Sequence, residues 1–89
     1  MMERRQLIEY ARKGIMAEIR KHEKKVLRGR AYLKAMDSGE QVKTPLSRSQ
    51  IESVIARAKA EIKRLSDEEM MLRYEEKAYD MDFLHKMYK

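Results

Sequence analysis

The chain of 89 residues contains no cysteine and no tryptophan, and only one proline, one phenylalanine and three glycines. Without cysteine it forms no disulfide and offers no thiolate for metal binding or nucleophilic attack. No apolar run approaches the ~20 residues needed to cross a bilayer, and the first residues lack the apolar segment of a signal peptide. These absences predict a cytoplasmic location.

Motifs for catalysis, metal binding and cofactor binding are also missing. The three glycines are scattered, so they form no phosphate-binding loop. The only histidines, His22 and His85, are expected to lie far apart and cannot share a zinc ion. Glu76, Asp80 and Asp82 lack the glycine and the spacing of a calcium loop. We therefore expect a protein that is not an enzyme, has no cofactor or metal, and uses no small-molecule substrate.

Charge is abundant and unevenly distributed. Charged residues make up 40% of the chain, and the net charge is +6. Residues 1–37 carry +6 and residues 38–65 carry +3, whereas residues 66–89 carry −3. A basic first segment and an acidic last segment favour a fold in which the two lie side by side.

One long interruption divides the helical pattern. Gly39 can adopt the left-handed conformation that commonly ends a helix. Pro45 disfavours a helical residue before it. Ser47 and Gln50 have the spacing of a capping box, in which each side chain binds the backbone N–H of the other. The sequence predicts a helix over residues 4–37, a turn over 38–47 and a new helix from residue 48.

Apolar residues recur every three or four positions on both sides of this turn. This spacing predicts an all-α, antiparallel, coiled-coil-like hairpin in a single domain spanning residues 1–89. Folding the second helix back onto the first places Gly29 opposite Ala58, where two small residues would allow the two backbones to approach closely. His22 falls in the same seam and is expected to have a polar partner.

A second capping pattern occurs at Ser66 and Glu69. It predicts that the second arm is kinked or broken near Ser66, giving helices over about 48–64 and 67–88 and two or three helices in all. The alternative is one continuous helix with a serine inside it, because tertiary packing can override a capping signal.

The last segment is apolar on two faces, and a simple hairpin covers only one of them. A helix that is apolar on two sides usually has two partners. The uncovered face predicts a second copy of the chain or another protein as partner. The candidate interface residues are Met70, Leu72, Tyr74, Tyr79, Met81, Phe83 and Tyr88.

The first helix carries a basic ridge, which is the alternative functional surface. It spans about 22 Å at helical rise, enough to follow several phosphates of a nucleic acid. No recognition-helix pattern accompanies it. The candidate residues for binding nucleic acid are Lys13, Arg20, Lys21, Lys24, Lys25 and Arg28.

Taken together, these features predict a small non-catalytic helical protein that oligomerises or docks on a partner through a helix face. Its general character resembles the short regulatory or inhibitory accessory proteins of bacteria and their phages. Two alternatives remain: a nucleic-acid-binding accessory protein that uses the basic ridge, and a structural coiled-coil spacer that only self-associates.

Overall fold

The computed structural model describes residues 3–87, apart from the side chains of residues 82–84 and 87. It contains two helices, α1 (Arg4–Asp37) and α2 (Arg48–Met87), which pack against each other as an antiparallel hairpin. The molecule measures 69 × 21 × 16 Å. The predicted all-α hairpin is confirmed. Neither described helix has an apolar stretch long enough to cross a bilayer.

The turn between the helices forms as the sequence predicts. Gly39 has φ of 77°, and its N–H donates to the carbonyl of Met36 at 3.1 Å, while the N–H of Glu40 donates to Ala35 at 3.0 Å. This pair of bonds is a Schellman motif, which satisfies carbonyls left free at the end of α1. At the start of α2, the Ser47 N–H donates to Gln50 Oε1 at 2.8 Å, and the Gln50 N–H donates to Ser47 Oγ at 3.2 Å.

The best-packed part of the core lies near the turn. Val26 of α1 packs with Ile51, Ile55 and Ala58 of α2. Tyr32, Leu33, Met36 and Ile62 pack around this cluster while remaining partly accessible. Further buried apolar residues continue the seam toward the open end of the hairpin: Ile8, Ile19 and Leu65.

A side chain of α2 closely approaches the backbone of α1 at Gly29, and it belongs to Ile55 rather than to the predicted Ala58. A Cβ atom at position 29 would lie 2.6 Å from Cγ1 and 2.8 Å from Cδ1 of Ile55. The neighbour of Gly29 is therefore a large side chain one turn closer to the hairpin bend. Because glycine has no Cβ, there is room for the Ile55 side chain. Gly29 therefore packs against a large residue, whereas the sequence predicted a small one.

The break predicted at Ser66 is also wrong, because α2 runs as one helix from Arg48 to Met87. A kink there is not confirmed. The capping box fails because the Glu69 carboxylate is bound elsewhere, accepting hydrogen bonds from Arg12 at 3.1 Å and from Arg73 at 2.9 Å. The alternative of a continuous helix is the one observed.

Candidate interaction surfaces

A polar seam holds the second half of α2 against α1. Glu69, although charged, is only 7% exposed. Arg12 of α1 lies between two carboxylates of α2, with Nη2 3.0 Å from Glu69 Oε1 and Nη1 2.6 Å from Glu76 Oε2. Charge-assisted bonds from one guanidinium to two carboxylates fix both the register and the rotation of the helix.

The pKa of Glu69 reflects this seam. Burial on its own would raise the pKa, but hydrogen bonds and positive charge from Arg73 and Arg12 outweigh burial and hold the pKa below its ordinary value. The carboxylate therefore stays charged at neutral pH, and it can occupy a seam position only because two guanidinium groups surround it.

Two more ion pairs tie the acidic end of α2 to the start of α1. Arg4 pairs with Glu75, and Arg5 Nη1 lies 3.7 Å from Asp80 Oδ1. The predicted neighbourhood of the basic first segment and the acidic last segment is confirmed. These carboxylates are used for pairing with α1, and no group of three or more His, Asp or Glu suited to a metal ion occurs among the described side chains.

Because Glu69 and Glu76 face α1, the apolar residues on the far side of α2 face outward. Met70 is 51% exposed, Met71 70%, Tyr74 64% and Met81 68%. With Ala78, which is also exposed, they form a strip on the outer surface of α2. We call this set the outer stripe: Met70, Met71, Tyr74, Ala78 and Met81.

The predicted interface residues divide between the two faces of α2. Met70, Tyr74 and Met81 belong to the outer stripe. Leu72 is half-buried beside Ile15 of α1 and so belongs to the hairpin itself. Tyr79 is 37% exposed. The Phe83 side chain and Tyr88 lie outside the described part of the chain.

Sequence reasoning missed Met71. Its signal was present: Met71, Tyr74, Ala78 and Met81 are spaced by three, four and three residues, which is the spacing of a helical seam. The stripe also has edges of opposite charge. Glu68 and Glu75 line a groove with Met71, whereas Arg73 and Lys77 line a groove with Met70.

The basic ridge of α1 is exposed along its whole length. Within the described region, only one of its six members pairs with a carboxylate: Lys21 Nζ lies 3.2 Å from Glu18 Oε1. Lys13 and Arg20 line a groove that reaches α2 at Glu69 and Arg73. The ridge divides between the two sides of the hairpin, because Lys25 lines a groove with Arg57 and Glu61 on the other side.

The remaining candidate residues are structural. Ser47 caps α2, while Ser66 lies inside the helix with no capping bond among those described. His22 is half-buried in the seam and lines a groove with Glu61, and its buried Nδ1 has no hydrogen-bond partner in the described region. His85 is exposed near the C-terminal end of α2.

No protein-family model, curated protein or solved structure matches this chain.

Proposed function

We propose that this protein is a small non-catalytic interaction protein that self-associates through the outer stripe of α2. The observation that carries the proposal is a helical seam of methionine and tyrosine that the hairpin leaves on its surface. Methionine side chains adapt to different neighbours, and tyrosine supplies a large apolar area with a polar end. A regulatory or inhibitory role and a cytoplasmic location are part of the proposal.

A second copy of the chain is the partner that the charges favour. The outer stripe has an acidic edge at Glu68 and Glu75 and a basic edge at Arg73 and Lys77. When two copies of α2 lie side by side and parallel, the basic edge of one faces the acidic edge of the other. An antiparallel pair would place like charges together. The proposed dimer is therefore parallel, with Ala78 beside Ala78 of its partner.

The size of the outer stripe sets the strength of this association. From Met70 to Met81 the stripe is about 17 Å long at helical rise, and a helix is about 10 Å wide. This area is well below the ~800 Å² per partner of a standard interface. We expect a reversible dimer in roughly the micromolar range or weaker.

Sedimentation equilibrium over a concentration series tests the proposal. Tyr74→Asp should shift the dimer toward monomer by about tenfold or more in dissociation constant, because it places a charge in the apolar contact. Tyr10→Asp is the matched control, since Tyr10 is 61% exposed on α1, outside the stripe. It should leave the dissociation constant within about twofold. A monomer at all concentrations, or equal effects of both variants, would overturn the proposal.

The orientation can be tested separately because the chain has no cysteine of its own. In the parallel dimer, Ala78→Cys should form a disulfide-linked dimer on mild oxidation, since the two Cα atoms come within the ~4.4–6.8 Å that a disulfide requires. Ser49→Cys, exposed at the far end of α2, is the control and should cross-link slowly. Faster linking in a mixture of Tyr74→Cys and Ala78→Cys chains would show an antiparallel pair instead.

A further inference from the structure

A second charged surface is built from both helices. Contacting residues across the hairpin have numbers that sum to between 79 and 88, centred near 84, as in the contacts of Arg4 with Glu75, Gly29 with Ile55, and Arg12 with Glu76. This register sets Arg20 level with Lys63 and Lys24 level with Lys59.

These cations also lie on the same side of the hairpin. Lys13 and Arg20 share a groove with Arg73, which marks the side of α2 that they approach. Lys59 precedes Arg73 by fourteen residues, close to four turns of helix, so it projects from that side as well. Lys63 follows Lys59 by four residues and Lys24 follows Arg20 by four, so each shares the face of its neighbour. We call this surface the basic side: Lys13, Arg20, Lys24, Lys59 and Lys63.

The charges on the basic side are not neutralised within the hairpin. All five side chains are exposed, and none forms an ion pair with a described carboxylate. Glu9 lines the same groove, and Glu23 follows it by fourteen residues, close to four turns of helix, so these two glutamates reduce the net charge of this side to +3. The opposite side differs, since Lys21 pairs there with Glu18, and Arg64 pairs with both Glu61 and Glu68.

We propose that the basic side binds the phosphate backbone of double-stranded nucleic acid. Its cations follow the long axis for about 17 Å in two rows on adjacent helices. A duplex presents one negative charge per ~1.7 Å of its axis, so several phosphates lie within that length. None of these five residues belongs to the outer stripe, so different variants test the two proposals.

The composition of the basic side specifies the kind of nucleic acid. No aromatic residue is among its members, so it lacks the stacking platform with which proteins bind unpaired bases. Contacts to phosphate carry no sequence information. The basic side should therefore bind duplexes of any sequence, and bind them at least as well as single strands.

Fluorescence anisotropy with a labelled 24-base-pair DNA duplex tests this proposal. The logarithm of the association constant should fall linearly with the logarithm of salt concentration, with a slope of up to about −4.5 if five phosphates are neutralised. The variant Lys24→Glu/Lys59→Glu/Lys63→Glu should lose at least tenfold in affinity at low salt and show a shallower slope. Circular dichroism would verify that it remains helical.

The control variant Lys21→Glu/Lys25→Glu/Arg57→Glu changes the net charge by the same amount on the opposite side. Its affinity for the duplex should fall by less than about threefold, apart from the general effect of net charge. Equal losses in both variants, or no binding of the wild-type chain to the duplex, would overturn the proposal. So would capture by anionic phospholipid vesicles without duplex binding. Tyr74→Asp should retain binding, which separates this site from the outer stripe.

Discussion

Replacing each helical glycine of α1 by alanine probes how closely the two helices approach. Gly29 is buried against Ile55, where a Cβ would lie 2.6 Å from Cγ1. Gly14 lies in the same helix and is exposed, and a Cβ atom there would meet nothing within 4 Å beyond the adjacent backbone of its own helix. The same substitution therefore meets a filled space at one position and open solvent at the other.

The magnitudes follow from two opposing effects. Alanine is favoured over glycine by about 1 kcal/mol inside a helix, and this gain applies at both positions. Gly14→Ala should therefore raise the free energy of unfolding by about 1 kcal/mol. At Gly29 the added methyl overpacks the seam, which costs about 1–3 kcal/mol. Gly29→Ala should come out neutral to about 2 kcal/mol destabilising, so the two variants differ by about 1–3 kcal/mol.

Thermal unfolding followed by circular dichroism measures this difference. For a chain of this size, 1 kcal/mol corresponds to about 4–8 °C in Tm. All variants should be compared at one protein concentration, because self-association also raises the apparent stability. Adding Ile55→Val removes the Cδ1 atom of Ile55, so Gly29→Ala should cost less in that background than in wild type. If Gly29→Ala stabilises the chain as much as Gly14→Ala, the close approach at Gly29 is wrong.

Three further substitutions test the polar seam and the caps. Because the folded-state pKa of Glu69 is held below its ordinary value, its contribution to stability is present above about pH 4.5 and is lost as the pH falls through the folded-state pKa. Denaturant unfolding should show a decline in stability on acidification, and Glu69→Gln should make that decline shallower; an unchanged pH profile would contradict the ion-pair argument. Ser47→Ala should cost about 1 kcal/mol through loss of the cap, whereas Ser66→Ala should change stability by less than about 0.5 kcal/mol. Equal losses of stability in the two serine variants would show that Ser66 caps a helix, contrary to a continuous α2.

The bend of the hairpin was predictable because several local signals agree there. Gly39 supplies the left-handed residue, Pro45 removes an N–H, and Ser47 with Gln50 closes the capping box. Each of these effects acts between residues close in sequence, so it can be evaluated without knowing the fold. The pairing of the basic and acidic segments was predictable for a related reason, since net charge is a property of sequence alone.

The prediction at Ser66 failed because the decisive contact is distant in sequence. Ser66 and Glu69 have the same spacing as Ser47 and Gln50, yet no glycine or proline precedes them to end the helix. Glu69 instead binds Arg12, which lies 57 residues away. A local sequence pattern cannot show whether the Glu69 carboxylate caps a helix or forms an ion pair with a residue distant in sequence. For the same reason, the sequence could not determine which face of the last segment turns outward, or that Ile55 rather than Ala58 fills the space at Gly29.

The continuity of α2 links the core to the outer stripe. Turning Tyr74 and Met81 inward would require α2 to rotate by well over 90°, since they lie far around the helix from Glu69. In an unbroken helix that rotation would also carry Ile51 and Ile55 out of the core and would separate Arg12 from its carboxylates. The buried apolar residues near the bend and the ion pairs near the open end thus fix the same rotation of α2. The hairpin over residues 3–87 therefore exposes the outer stripe as a consequence of its own packing.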